Sequence, residues 1–347
     1  MIAFVESKRP DYEHIRELLA GSEERGVWSN FGPLSLRLEE TVAGILDLPS
    51  SRRVVACSNG TVALHGLAQI HEHLAGRPLR WVVSAFTFYA QRQGPFGGAR
   101  VLDCDAHGFL DLDELAALPA DSYDGIVVTN LFGTALHVER YEEIAARAGK
   151  ILLFDSATCL GSASPEKPFG SLGDGEIFSF HHTKPCGFGE GGCAVVPAEL
   201  EDTFRSLINF GLYKGIDTGG LSSNGKMSDV AAAFILDRLR HLESIRADHL
   251  RQFRRLTGIA CDLGLSLLVD GGREGSFPNL VPVLFPHPVG PERLTGSPLV
   301  LHKYYRPVES RPRADALYAR VVCFPCHGGV AGIPDEEIHA TLAGLLD

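Results

Sequence analysis

Between residues 53 and 200, short apolar runs alternate with stretches whose apolar residues recur at helical spacing. The runs are apolar throughout, which is typical of strands buried on both faces. Strands are predicted at 53–57, 81–86, 99–103, 125–129, 150–154, 176–180 and 192–196. Helices are predicted at 61–74 and 138–148. This order predicts an α/β fold with a mostly parallel seven-stranded sheet and helices on both faces, the last two strands forming a hairpin-like addition.

The pattern changes in the last third of the chain. A long helix is predicted at 228–255, followed by strands at 280–285, 299–305 and 321–324 and a closing helix from Pro334. These short elements predict a smaller C-terminal α+β domain. We place the division so that a large domain spans 1–235 and a small domain spans 236–347.

Composition narrows the class of protein. Of 347 residues, 45% are hydrophobic and 22% are charged, so the chain can bury a large core. The formal net charge of −11 argues against nucleic acid or an anionic membrane as the main partner. No apolar run approaches the roughly 20 residues that span a bilayer, and the N-terminus lacks a secretion signal pattern. We expect a cytoplasmic protein without nucleic acid or membrane partners.

The eight cysteines are scattered along the chain. Cys323 and Cys326 form a C-x-x-C pair, but no second such pair exists. A structural zinc site needs four ligands, so we expect no metal and interpret these residues as reduced, mostly buried thiols.

One lysine stands in an unusual position. Residues 178–192 read Phe-Ser-Phe-His-His-Thr-Lys-Pro-Cys-Gly-Phe-Gly-Glu-Gly-Gly, which places Lys184 after a buried strand and before a glycine-rich turn. Lys184 could be an ordinary surface loop residue. A lysine at a strand exit among apolar residues also suits a Schiff-base nucleophile, because desolvation lowers the pKa of its amine.

Three other strand ends carry candidate chemistry. Asp155 ends a buried strand, at the sheet edge where α/β proteins bind ligands, although it could instead cap a helix. The turn at 57–63 contains Gly60 and Thr61 and could hold an anion at a helix N-terminus, but such turns also occur for geometry alone. Phe88 could stack on a flat ring or simply pack in the core.

Together these parts match what pyridoxal phosphate requires, and the chain resembles the DegT/DnrJ/EryC1/StrS aminotransferases from about residue 32 to residue 327. Residues 178–192 resemble the lysine motif of that family, and the resemblance implies a fold-type I architecture. It implies that Lys184 forms the Schiff base and that Asp155 pairs with the pyridine nitrogen. The remaining cofactor-binding positions implied by the resemblance are Gly60 and Thr61 in the phosphate cradle, Ser179 at the phosphate, and Phe88 on the ring.

Two more stretches resemble the family. Residues 209–211 and 223–229 match its motifs before the long helix, and Asn224 falls where an asparagine reaches the cofactor phosphate of the neighbouring subunit. The resemblance therefore implies a homodimer with shared active sites. The segment 303–307 resembles the substrate side, which gives His181, Lys303, Tyr304 and Arg306 as candidate substrate residues; a core role for His181 remains open.

The sequence also departs from the family pattern. Thr158 stands where the family usually has Gln or His, so the cofactor ring hydroxyl would be held by Thr158, held through water, or held more weakly. The stretch between Val283 and Tyr304 is short and rich in Pro and Gly, and this departure concerns the nucleotide-sugar contacts more than the cofactor chemistry.

The resemblance implies an aminotransferase that converts a keto sugar, nucleotide-linked, to an amino sugar with glutamate as amino donor. Alternatives are a ketocyclitol aminotransferase, a sugar dehydratase of the same fold, and a non-catalytic cofactor-binding regulator. Lys184 argues against the dehydratase, because that sister group carries histidine there. A nucleotide would need local positive charge, for which Lys226, Lys303 and Arg306 are the candidates, and we expect them to line the pocket.

Overall fold

The computed structural model describes residues 1–346 and contains one seven-stranded and one three-stranded sheet in that range. The strands of the large sheet are β1 (Arg52–Cys57), β2 (Trp81–Ser84), β3 (Arg100–Leu102), β4 (Gly125–Thr129), β5 (Ile151–Asp155), β6 (Gly175–Ser179) and β7 (Gly192–Pro197). Their order is β1-β7-β6-β5-β4-β2-β3. The pairs from β6 to β3 are parallel, and β7 is antiparallel to both β1 and β6. The prediction of a mostly parallel seven-stranded sheet with a hairpin-like addition is confirmed.

The described chain also contains ten α-helices, six short 3-10 helices and the three strands of the second sheet. The helices are α1 (Tyr12–Arg25), α2 (Pro33–Ile45), α3 (Gly60–Ala75), α4 (Leu112–Ala116), α5 (Val138–Ala148), α6 (Glu201–Leu207), α7 (Asp229–Leu239), α8 (Leu242–Asp262), α9 (Pro312–Arg320) and α10 (Asp335–Leu346). The second sheet is antiparallel, with β9 (Leu280–Leu284) between β8 (Ser266–Leu267) and β10 (Val321–Pro325).

Helices cover both faces of the large sheet because its strands are apolar on both sides. Val54 and Ala56 of β1 join a core cluster with α1, α2, α5 and α7. Val55 and Cys57 point to the other face and join a cluster with α3 and α6. Helices α8 and α10 cover the three-stranded sheet and form a third cluster.

Two predicted elements differ in the structure. The helix predicted at 228–255 is two helices, α7 and α8, which are separated at Arg240 and His241. Leu239 and Leu242, on either side of this break, are both buried. Helix α7 packs in the core of the large sheet, whereas the later turns of α8 pack on the small sheet. A single straight helix could not serve both cores, so the sequence pattern missed a change of direction.

The strand predicted at 299–305 was also wrong. This segment makes isolated bridges only, from Leu299 to Ile2 and from His302 to Cys323. The boundary predicted at residue 235 falls inside α7, and the division into two domains stays a prediction. No helix of the described residues is both long enough and apolar enough to cross a membrane.

Candidate active site

A cavity of about 690 Å³ opens at the carboxyl ends of the parallel strands. β4, β5 and β6 end at this edge, and β1 ends there too because it runs in the same direction as β6. Ligands of open α/β sheets bind at this edge. The cavity brings together nine of the residues predicted from the sequence: Gly60, Thr61, Phe88, Asp155, Thr158, Ser179, His181, Lys184 and Tyr304.

Asp155 lies at the floor of the cavity and is 4% exposed. Its carboxylate accepts hydrogen bonds from the side-chain amide of Gln91 at 3.2 Å and from the backbone N–H of Ala157 at 3.2 Å. Burial raises the pKa of Asp155, while the hydrogen bonds and the charge of Lys184 oppose that rise. A cation bound beside this carboxylate would stabilise its charged form.

Lys184 reaches the same cavity from the loop after β6. Burial lowers the pKa of its amine, and the nearby carboxylate of Asp155 opposes that shift. A lowered pKa makes the neutral, nucleophilic amine more abundant near neutral pH. The two groups are therefore placed and tuned for a reaction of an amine beside an acid.

The predicted anion cradle is formed where α3 begins. The N–H groups of Gly60 and Thr61 lie in the first turn, where they have no intrahelical acceptor. A Cβ at Gly60 would lie 3.2 Å from the Cβ of Ser179, and a Cβ at Gly192 would lie 2.4 Å from the nitrogen of Gly60. Glycine at both positions thus keeps the backbone and Ser179 close around a space suited to a phosphate.

Phe88 and Thr158 line the same cavity. The Phe88 side chain is 50% exposed, so its ring is not used in the core and remains available for stacking. The Thr158 hydroxyl oxygen accepts a hydrogen bond from the backbone N–H of Gly133 at 3.1 Å, which leaves its own proton to donate.

On the outer side of the cavity, His181 contacts the Thr183 hydroxyl at 2.8 Å and lies 3.5 Å from a carboxylate oxygen of Glu190. Tyr304 packs between Phe4 and Tyr305, with ring centroids 5.9 and 5.7 Å away. These polar and aromatic side chains line the same cavity as Lys184.

Four of the predicted basic or polar residues do not line this cavity. Lys303 donates to the backbone carbonyls of Val289 and Ala319 at 2.6 and 2.7 Å, which uses its charge within the C-terminal part of the chain. Arg306 is exposed. Asn224 is exposed and accepts a hydrogen bond from Lys226 at 2.7 Å. The expectation that Lys226, Lys303 and Arg306 line the pocket is therefore wrong for the cavity of a single chain.

Several cavity residues were missed from the sequence. Thr129 lines the cavity, and Gln91, which is buried outside the cavity lining, donates side-chain hydrogen bonds to Asp155 at 3.2 Å and to Thr129 at 2.6 Å. Asn130 directly follows β4, and its position at a strand end beside Asp155 is a signal that could have found it. Asn279 comes from the segment before β9, and no local motif marks it.

Pyridoxal phosphate fits these residues. The cradle suits its phosphate, Asp155 suits its ring nitrogen, Phe88 can cover its ring and Lys184 can bind its aldehyde.

The fold defines the class of the protein. DesI, solved in the presence of its TDP-sugar product, superposes with a TM-score of 0.78 at 28% identity, covering 97% of this chain and 90% of that chain. The fold is that of the fold-type I pyridoxal-phosphate-dependent aminotransferases.

The sequence defines the family. The model of the DegT/DnrJ/EryC1/StrS aminotransferase family matches residues 11–342, and the chain belongs to this family. Protein Rv3402c of Mycobacterium tuberculosis is 31% identical over 255 residues, which are 70% of this chain and 61% of that protein. A dTDP-4-amino-4,6-dideoxy-D-glucose transaminase of Shigella dysenteriae is 25% identical over 285 residues, 75% of this chain and 71% of that protein. The match thus spans about three fifths of the length of the mycobacterial relative.

Proposed function

We propose that this chain is a pyridoxal-phosphate-dependent aminotransferase that converts a nucleotide-linked keto sugar to an amino sugar, with glutamate as the amino donor. The observation that carries the proposal is the convergence of Lys184, Asp155 and the Gly60–Thr61 cradle on one cavity. The similarity to transaminases of nucleotide sugars supports the substrate class.

The cofactor, when bound, supplies an electron sink for the carbon that loses a proton. Asp155 would keep the ring nitrogen protonated by offering it a buried negative charge. Lys184, once displaced from the cofactor aldehyde by the donor amine, would move a proton at the α-carbon of the donor and later at the carbon of the acceptor. Phe88 and the Thr158 hydroxyl would hold the ring in place, so that both substrates meet the amine in one geometry.

The role of Lys184 can be tested directly. The Lys184→Ala variant should lose the visible absorbance of the bound cofactor and lose turnover, because no other lysine among residues 1–346 lines the cavity. Lys150→Ala is the matched control, since Lys150 packs over the ring of Tyr123 at 5.2 Å and lies outside the cavity. Full transaminase activity in Lys184→Ala would overturn the proposal.

A second candidate is a ketocyclitol aminotransferase. Among the described residues that line the cavity, Lys184 is the one lysine or arginine, so this chain alone offers little to neutralise a diphosphate. That observation favours an uncharged substrate. A panel of nucleotide keto sugars and ketocyclitols, with glutamate as donor and mass change as the readout, separates the two.

The same reactions address the remaining alternatives when the cofactor absorbance is followed as a second readout. A regulator without catalysis would bind the cofactor, yet glutamate would not bleach it. A dehydratase would release water from the sugar without transferring nitrogen.

We further propose a homodimer in which Asn224 of one subunit reaches the cofactor phosphate of the other.

A further inference from the structure

A lysine from the N-terminal segment lies beneath the loop that carries Lys184. The ammonium of Lys8 donates hydrogen bonds to three backbone carbonyls, those of His182 at 2.6 Å, Lys184 at 2.5 Å and Gly187 at 2.6 Å. An ammonium has three N–H donors, so each of them has found an acceptor. All three acceptors belong to the same short loop, although Lys8 is more than 170 residues away in sequence.

These carbonyls converge because the loop is tightly curled. The backbone N–H of Lys184 donates to the carbonyl of His181 at 2.8 Å, and that of Gly187 donates to the carbonyl of Lys184 at 3.0 Å. A Cβ at Gly187 would lie 2.1 Å from the carbonyl oxygen of His181, so the curl has no room for a side chain there. Carbonyl oxygens that point at one centre form the kind of site that holds a small cation.

A second cation binds the loop beside Lys8. The Nε of Arg238, in α7, donates to the carbonyl of Pro185 at 2.9 Å, and its guanidinium pairs with Glu6. Four carbonyls between residues 182 and 187 are therefore held by cations from outside the loop. Burial and the charge of Arg238 lower the pKa of Lys8 to about 7, and Glu6 and Cys186 oppose that shift. The three carbonyl contacts also favour the charged amine.

We propose that Lys8 is a positioning residue for Lys184: its ammonium acts as a tethered cation that holds the 181–187 loop and so fixes the point from which the amine of Lys184 enters the cavity. The inference rests on the proposed function, since it takes Lys184 as the residue that binds the cofactor. One of the carbonyls that Lys8 holds is that of Lys184 itself. Fixing this carbonyl therefore restricts the positions that the Lys184 side chain can reach. A displacement of about 1 Å at a reacting group can lower a rate by about 100-fold.

The geometry distinguishes lysine from arginine at this position. Three acceptors surround a single nitrogen, which suits a compact ammonium and not a planar guanidinium that spreads its donors over three nitrogens. Lys8→Arg should therefore fail to hold the 181–187 loop, although it keeps the positive charge. Lys8→Met retains the apolar stem and removes the charge, and Lys8→Ala opens space for an added cation. Arg9→Met is the matched control, because Arg9 is the exposed neighbour.

The first measurement uses the protein without cofactor. Hydrogen exchange of the amides of Lys184 and Gly187 should become at least about 10-fold faster in Lys8→Met and Lys8→Ala, because the loop opens more often. Amides of β4 should keep their wild-type rates, and Arg9→Met should match the wild type throughout. Unchanged exchange at both loop amides would overturn the proposal.

The second measurement uses the protein loaded with pyridoxal phosphate. Lys8→Met and Lys8→Arg should lower the rate of the glutamate half-reaction by about 10- to 100-fold and shift the pH midpoint of the cofactor absorbance. In Lys8→Ala, adding potassium chloride should raise the rate of the glutamate half-reaction by at least about 5-fold. The increase should saturate with potassium concentration, because the loop carbonyl oxygens would bind that cation. Tetramethylammonium chloride at equal ionic strength should restore nothing.

Each remaining outcome also has a meaning. A folded Lys8→Ala that potassium does not improve would overturn the tethered-cation role, and so would unfolding of both Lys8→Met and Lys8→Ala, which would make Lys8 a general structural residue. Wild-type protein that binds no pyridoxal phosphate would overturn the proposed function, while the exchange measurement would still decide the role of Lys8.

Discussion

At the scale of single residues, Asp155 and Lys184 are both shifted toward their neutral forms by burial, and each partly offsets the shift of the other. Such opposed shifts in one cavity are typical of active sites. The carboxylate of Asp155 has two hydrogen-bond donors from the protein, so its position does not depend on a ligand. The acid is thus held in place before any cofactor binds.

The Asp155→Asn variant separates the charge of this residue from its shape. We expect a protein as stable as the wild type, because a buried charge is removed while the side chain keeps its size. The glutamate half-reaction should slow at least about 100-fold, because a neutral amide cannot keep the ring nitrogen protonated. Stopped-flow absorbance and thermal melting measure the two effects. A rate within about 3-fold of wild type would contradict the role given to Asp155.

Glu176 is a second buried acid, and it predicts a pH dependence of stability. It accepts hydrogen bonds from the Ser156 hydroxyl and the Gly170 backbone N–H, both at 2.5 Å, yet burial raises its pKa to about 7. The folded protein therefore holds this proton more tightly than the unfolded chain. Its stabilising contribution is complete below about pH 4.5 and is lost as the pH rises through about 7.

Glu176→Gln should remove that dependence. We expect the difference in unfolding free energy between wild type and variant to change by about 3 kcal/mol between pH 5 and pH 8. Urea unfolding at both pH values measures it. Parallel pH profiles for the two proteins would show that Glu176 is charged throughout this range.

At the scale of elements, the N-terminus of α2 is capped from a distant part of the chain. Gly32 at the N-cap offers no side chain, and the carboxylate of Asp229 in α7 accepts from the backbone N–H groups of Leu34 and Ser35 at 3.1 and 3.0 Å. A Cβ at Gly32 would lie 2.6 Å from that carboxylate. One acid therefore joins two helices, with its charge at the positive end of α2.

Asp229→Ala should lower the free energy of unfolding by about 2–4 kcal/mol, because a cap is lost and buried N–H groups are left without an acceptor. Asp262→Ala is the control, because Asp262 is exposed at the end of α8 and its loss should change stability by less than about 0.5 kcal/mol. Denaturant unfolding of both variants gives the comparison. Equal stability of the two variants would show that Asp229 is not the cap.

The elements that the sequence predicted well are those with continuous apolar runs. All seven strands of the large sheet were found, because a strand buried on both faces leaves little choice of residue. The strand ends then placed Asp155, Lys184 and the cradle on one edge. Nothing in the local sequence predicted the break between α7 and α8 at Arg240 and His241. Nor did it predict that Lys303 would donate hydrogen bonds to two backbone carbonyls. Both features depend on packing between segments that are distant in sequence.

At the scale of the whole molecule, several large apolar side chains are exposed in the single chain. They lie in three segments of the chain: Trp28, Tyr89, and Phe210 with Leu212. A contiguous exposed apolar patch is typical of an interface, whereas single exposed side chains are ordinary. In the proposed homodimer these side chains would lie at the interface, and Asn224 would serve the site of the other subunit.

Mixing two inactive variants tests this sharing. If Asn224 acts across the interface, Lys184→Ala and Asn224→Asp should form mixed dimers in which one site has both intact residues. After subunit exchange, an equal mixture should recover about one quarter of the wild-type activity, because half of the dimers are mixed and half of their sites are complete. If Asn224 acts within its own subunit, the mixture stays inactive.

The order of strands also bears on how the protein is made. β1 occupies one edge of the large sheet, and its partner in the sheet, β7, begins 135 residues after β1 ends. At the usual rate of translation, a ribosome needs roughly 7–27 s to make that stretch. Throughout this interval β1 is an unpaired apolar edge, and the turn that holds Gly60 lacks the backing of Gly192. Because Gly192 backs the turn at Gly60, we expect a nascent chain to complete the anion cradle only after β7 has left the ribosome.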